Sequence, residues 1–169
     1  MTVTLRAATA EDLMAVGRLH QRSRVAAYSS ILPPEALADP TPEAMGEYWL
    51  ARWSYERADH RMTLAERDGT VVGFSYLGPD DERDPHTGLL NAIHLAPAER
   101  GRGVGRTLMI DALADMRGRG WHRAVLWVLR DNTHARRFYE RGRWLPTGVE
   151  RDDLIGRVTV RQLRYTRPL

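Results

Sequence analysis

The chain has 169 residues, 43% of them hydrophobic, and its 25 basic and 22 acidic residues leave a net charge of +3. That length suits one domain with a real core, and so even a balance does not by itself point to nucleic acid. There is no cysteine and no lysine, which excludes disulfides, thiolate nucleophiles, cysteine metal sites, Schiff-base catalysis and a P-loop lysine.

Residues 1–6 run directly into mixed polar sequence without the apolar stretch of a secretory signal, so the expectation is a cytoplasmic protein. No apolar run approaches the ~20 residues of a membrane span. Residues 2–7 alternate as a strand, with Val3 and Leu5 on one face. Thr9 and Asp12 resemble a capping box opening a helix, in which Leu13, Val16 and Leu19 recur at helical spacing. That pattern fades near Ser29, and Pro33-Pro34 forbids its continuation. A second helix is predicted from Thr41, with Pro42 at its first position.

Residues 61–66 and 71–77 read as two strands joined by the Asp68-Gly69 turn. A polar loop over 78–86 precedes a mostly apolar strand over 89–96, expected to be central. A glycine-rich loop over 101–105 leads into an amphipathic helix over 107–117, with Leu108, Ala112 and Met116 in phase. Then follow a strand over 124–129, a short helix over 133–141, and strands over 143–149 and 158–165 with a polar loop around Asp152 and Asp153. Arg136, Arg137, Arg141 and Arg143 crowd this half, but interleaved acids mark a solvated surface. The whole reads as a single α/β domain over 1–169, a mixed sheet with helices on both faces.

Arg100, Gly101, Arg102, Gly103, Val104, Gly105, Arg106 and Thr107 lie between a predicted strand and a predicted helix. A helix N-terminus offers unpaired backbone N–H groups and partial positive charge. Glycines clear away Cβ atoms and permit positive φ, so such a loop suits a phosphate. A tight turn needing glycine for geometry alone is the other reading of the same residues. A dinucleotide fold would place its glycines after the first strand, not the fourth.

Residues 95–105, Leu-Ala-Pro-Ala-Glu-Arg-Gly-Arg-Gly-Val-Gly, resemble the acyl-CoA motif of the GNAT (Gcn5-related N-acetyltransferase) superfamily, met by Arg100, Gly103 and Gly105. Asn132, Ala135, Phe138, Tyr139 and Glu140 resemble that family's Asn-x-x-Ala-x-x-Phe-Tyr-Glu stretch. The resemblance implies a mixed, mostly antiparallel sheet of about seven strands flanked by about four helices, with strands four and five splayed. It implies that backbone groups near Ile93 and Leu95 pair with the pantetheine arm of acetyl-CoA. Residues 101–106 would hold the pyrophosphate with Thr107 just beyond, and Asn132 would bond to the pantetheine arm. Tyr139 would be the general acid protonating the leaving thiolate, though the same residue could simply pack the short helix. The implied function is direct acetyl transfer to an amine of a small molecule, peptide or protein, with no metal, membrane or nucleic-acid partner. A non-catalytic acyl-CoA-binding module is the alternative. Dimers are frequent in the family, which leaves self-association open.

Two departures stand out. Leu89 replaces a Glu that in many relatives helps deprotonate the amine, leaving Asn91 and His94 as nearby polar residues. His94 has a suitable ordinary pKa, but could equally be a satisfied sheet histidine. The family's Gly-Phe after Tyr-Glu reads Arg143-Trp144, with the glycine at Gly142. For the acceptor, Tyr28, Glu35, Glu43, Glu47, Tyr48, Trp49 and Trp53 offer acids and aromatics that would suit a cationic amine, or plain helix surface and core. Asp80, Asp81, Glu82 and Asp84 either border that pocket or are solvated.

Overall fold

A computed structural model describes residues 2–169. Seven strands form one sheet: β1 (Thr4–Ala7), β2 (Arg61–Arg67), β3 (Thr70–Pro79), β4 (Thr87–Leu95), β5 (Arg123–Leu129), β6 (Leu145–Ile155) and β7 (Val158–Pro168). Their spatial order is β1-β2-β3-β4-β5-β7-β6. Every neighbouring pair is antiparallel except β4–β5, which is parallel. The helices are α1 (Leu13–Tyr28), α2 (Pro34–Leu37), α3 (Pro42–Glu56), α4 (Val104–Gly118) and α5 (Thr133–Arg141). The expected splayed, mixed sheet of seven strands is therefore the architecture found. Among the described residues, no helix is long and apolar enough to cross a membrane.

Two apolar cores sandwich the sheet. On one side Leu13, Val16 and Leu19 of α1 and Met45 and Trp49 of α3 pack on Leu64, Phe74 and Tyr76. On the other, Met109, Ala112 and Met116 of α4 pack on Leu90, Leu126 and Trp144. The α1–α3 approach depends on a glycine pair: a Cβ on Gly17 would collide with the backbone at Gly46. Thr9 and Asp12 form the predicted capping box, and Thr41 caps α3 through the Ala44 N–H at 3.2 Å. Asp68 and Gly69, both at positive φ, make the expected hairpin turn.

Four expectations shift. Pro33-Pro34 ends α1 as predicted, but Pro34 then opens α2 at a first-turn position that needs no N–H. Strand β3 runs on to Pro79, shortening the polar loop. Helix α4 begins at Val104, three residues before the predicted start, because Gly103 (φ 84°) caps it in a left-handed conformation. Asp152 and Asp153 are not in a loop but inside β6, and the turn lies at Gly156-Arg157. β6 is the exposed edge of the sheet, and its acids are balanced across the ladder: Arg161 donates to Asp152 at 2.6 Å and to Glu150 at 2.8 Å. Charged residues are expected on an unpaired sheet edge, so polarity there marked an edge and not a break.

Candidate active site

β4 and β5 pair over four positions, from Thr87↔Arg123 to Leu90↔Leu126, and then diverge. Just at the divergence β4 carries a bulge: Tyr76 faces Ala92 and Leu77 faces Leu90, leaving Asn91 as the extra residue. A bulge bends its strand and breaks the pairing, which helps open the sheet. The gap becomes a cavity of about 1130 Å³, lined by the outer half of β4, the N-terminus of α4, the end of β5 and α5.

The glycine turn forms one end. Gly101 and Gly103 have φ of 75° and 84°, and a Cβ at either would meet nothing within 4 Å. The Thr107 N–H makes the first helical bond, to Gly103 O at 3.0 Å. The N–H groups of Gly103, Val104, Gly105 and Arg106 therefore precede any carbonyl one turn back, as at every helix start. Gly103, Gly105 and Arg106 line the cavity, with the helix's positive end behind them. A Cβ at Gly105 would make ordinary van der Waals contact with Leu95 and Phe138 at 3.4–3.5 Å. Arg100 ties the turn to α1 through Ser23 O at 3.3 Å. Arg102 sits 3.3 Å from Glu99 and stays 60% exposed. Glu99 also accepts from Arg67 at 2.9 Å, and that bond holds its carboxyl below the usual range.

Asn132 and Tyr139 belong to the other end. Asn132 caps α5, its Oδ1 accepting from the Ala135 N–H at 3.2 Å, so its side-chain amide N–H groups are the part left to face the cavity. Tyr139 lies half-buried among Phe138, Trp144 and Tyr165, with ring centres 5.5, 6.2 and 6.5 Å away. Burial, with a smaller contribution from nearby Tyr28, pushes its phenol well above the ordinary value. Trp144, fully buried behind it, has an indole N–H with no partner.

His94 lines the same cavity from β4. Its ring lies 4.1 Å from that of His20, tilted by 38°, and stacks 5.5 Å from Phe74, and its Nδ1 is 3.2 Å from Ser23 Oγ. Burial first, then the charges of Arg100 and Arg24, lower its pKa to about 4. The ring is therefore neutral at pH 7, the form shared by both readings its sequence left open. Leu89 is buried, and Asn91 is bonded to Arg52 through Oδ1 at 2.8 Å. Arg52 in turn donates to Glu56, which also accepts from the Tyr76 hydroxyl, each at 2.7 Å.

Of the sequence-derived candidates, Ile93, Leu95, Arg100, Gly101, Gly103, Gly105, Arg106, Asn132 and Tyr139 line the one cavity. Arg102, Val104 and Thr107 do not. Val104 is core, and the Thr107 hydroxyl donates to Gly103 O at 3.2 Å. The acceptor candidates fare worse. Tyr28 lines the cavity, whereas Trp49 is core and Glu47 and Trp53 border a separate shallow depression. Trp127 of β5 lines the cavity and was not foreseen, because its place depends on the strand pairing with β7.

A model of the acetyltransferase (GNAT) family matches residues 14–143. The mycothiol acetyltransferase of Thermobispora bispora is 39% identical over 80 residues, 46% of this chain and 27% of that protein. The chain thus spans little more than a quarter of that relative's length. The uncharacterized N-acetyltransferase YuaI of Bacillus subtilis is 26% identical over 131 residues, covering 77% of this chain and 73% of the relative. In three dimensions the chain is similar to the PaiA N-acetyltransferase of Thermoplasma acidophilum in complex with coenzyme A, with a TM-score of 0.83, 20% identity and full coverage of both chains. It is also similar to YncA of Salmonella typhimurium with acetyl-CoA, with a TM-score of 0.77, 19% identity, and 100% and 95% coverage. At such identity these likenesses establish the fold.

Proposed function

The chain belongs to the GNAT family of acetyltransferases, and we propose that residues 1–169 form one domain that moves an acetyl group from acetyl-CoA directly to a primary amine of a small molecule, peptide or protein, in the cytoplasm. The observation that carries this reading is continuity: one cavity joins the amide-lined start of α4 to Tyr139 through the gap between β4 and β5. A diphosphate suits the first end. The open positive-φ glycines and unpaired amides accept it without displacing any side chain, and Arg100 and Arg106 add charge. Ile93 and Leu95 lie on β4 past its last pairing with β5, where their backbone can bond to an extended amide-bearing arm. The Asn132 amide can donate to that arm from the other side.

In the transfer, the amine nitrogen attacks the thioester carbonyl carbon, the carbon–sulfur bond breaks, and the thiolate needs a proton. Tyr139 supplies it from its phenol. A phenol at its ordinary pKa of about 10 is already protonated at neutral pH, which an acid requires; burial raises it further, so the donation relies on the phenol lying close to the thiolate as charge develops there. Holding the amine against the thioester supplies much of the remaining acceleration. With Leu89 apolar in place of a carboxylate, the amine loses its proton to water, and water returns a proton to the Tyr139 phenolate. No covalent enzyme intermediate is needed, in keeping with the absence of cysteine.

The test is thiol release from acetyl-CoA over a panel of amines, alongside thermal stabilisation by coenzyme A. Amine-dependent thiol release supports the proposal. Stabilisation without release on any amine identifies a binding module, and no stabilisation at all removes both readings.

A further inference from the structure

Trp127 is the first residue of β5 beyond the last β4–β5 pair, and it lines the same cavity as Tyr139. Its ring is flanked by two guanidinium groups, Arg151 at 4.1 Å and Arg164 at 6.0 Å from the ring centre. The two are held very differently. Arg164, opposite Trp127 on β7, donates through Nη2 to both oxygens of buried Asp80 at 3.1 and 3.3 Å, and through Nη1 to Glu82 at 3.0 Å. Arg151 comes from the exposed edge strand β6. It donates to Gln162 Oε1 at 2.6 Å and reaches Asp81 only at 3.4 Å, and its side chain stays 43% exposed. A solvated ion pair of that kind contributes little. Were Arg151 to swing away, three carboxylates (Asp80, Asp81 and Glu82), themselves outside the cavity's lining, would face one guanidinium beside the indole that does line it. Both the charge and the aromatic face then call for a cation.

We propose that Trp127 is the subsite for a cationic group of the acceptor, and that Arg151 fills it in the free protein as a tethered stand-in. The acceptor is then a primary amine that carries, away from the reacting nitrogen, a second group that is a guanidinium or an ammonium. That group displaces Arg151 from the ring and takes over the Asp81 carboxylate. The assignment of an acceptor rests on the acetyl-transfer reading, whereas the binding subsite can be tested apart from it.

The test uses the full chain loaded with coenzyme A, titrated calorimetrically with 4-aminobutylguanidine and with butylamine as the cation-free control. Arg151→Gln should tighten 4-aminobutylguanidine about fivefold to tenfold and leave butylamine unchanged, on the scale of one cation–π contact. Trp127→Leu should weaken it about tenfold while coenzyme A affinity is retained. Equal binding of 4-aminobutylguanidine by wild type and Arg151→Gln, or an equal gain for both amines, overturns the proposal. So does a Trp127→Leu protein that binds both amines as wild type does. Should Trp127→Leu lose coenzyme A as well, the Arg151→Gln comparison decides alone. Thiol release on the same samples separates the two readings. Trp127-dependent binding without release keeps the subsite and removes the transferase, and release without Trp127 dependence does the reverse.

Discussion

The two ends of the cavity are built from different materials. The end at α4 is made of backbone: Gly101, Gly103 and the amides through Arg106, with side chains cleared away. The end at β5 and α5 is made of side chains whose properties come from neighbours far along the chain. Tyr139 takes its environment from Trp144, Tyr165 and Tyr28, and Trp127 takes its partners from β6 and β7. Backbone sites are specified locally, by glycine spacing and a helix start. Side-chain sites are specified only once the sheet has formed. Damage to the two ends should therefore separate into binding and chemistry.

The largest separation is expected from Tyr139→Phe. It should lower kcat about 100-fold or more, the usual scale for a lost general acid, with the coenzyme A dissociation constant unchanged. Turnover near wild type would take the acid role from Tyr139 and blur the contrast between the ends. His94 offers a sharper view of the side-chain end through stability. Its folded pKa, about 4, lies below the ordinary 6.5. A group depressed in this way favours the fold fully above pH 6.5, and that contribution drains away as pH falls from 6.5 toward 4. The loss is about 3 kcal/mol by linkage. Urea unfolding between pH 7 and pH 4 should show this slope, and His94→Gln should flatten it to the share carried by His20. In the same variant, an acid limb of kcat/KM that stays where it is would remove a base role for His94, and a limb that moves would support one.

At the backbone end, Gly103→Ala places a Cβ on a residue at φ 84°. The left-handed penalty of about 1–2 kcal/mol should appear as roughly tenfold weaker coenzyme A binding with little change in the amine KM, read by calorimetry and steady-state kinetics. An equal effect on both would show that the ends are not separable. The smallest effect is expected from Asn132→Ala. Loss of the α5 cap should cost about 1 kcal/mol of stability, seen as a modest drop in Tm, together with somewhat weaker coenzyme A binding.

The same contrast explains what could be read from the sequence. The capping box at Thr9, the turn at Asp68-Gly69, the cap at Thr41 and the glycine run are local signals, and all four are in the structure. Asn132 and Tyr139 were legible through a spaced motif, and both reach the cavity. Asp152 and Asp153 misled, because an exposed edge strand and a loop carry the same polar composition. His94 was ambiguous because its neutrality comes from burial and from Arg100 and Arg24, none of which is encoded within its own strand. Val104 was read as loop and Thr107 as the first helical residue, but a left-handed glycine started the helix early, which made Val104 core and turned the Thr107 hydroxyl onto the Gly103 carbonyl.

The central claim is that main-chain amides at the start of α4 hold a diphosphate. It is tested most directly by following backbone amide resonances during a coenzyme A titration. Large, saturable shifts centred on Gly101, Gly103, Val104, Gly105 and Arg106 are predicted. Saturation of binding with those five signals unmoved, and the changes gathered elsewhere, would contradict it.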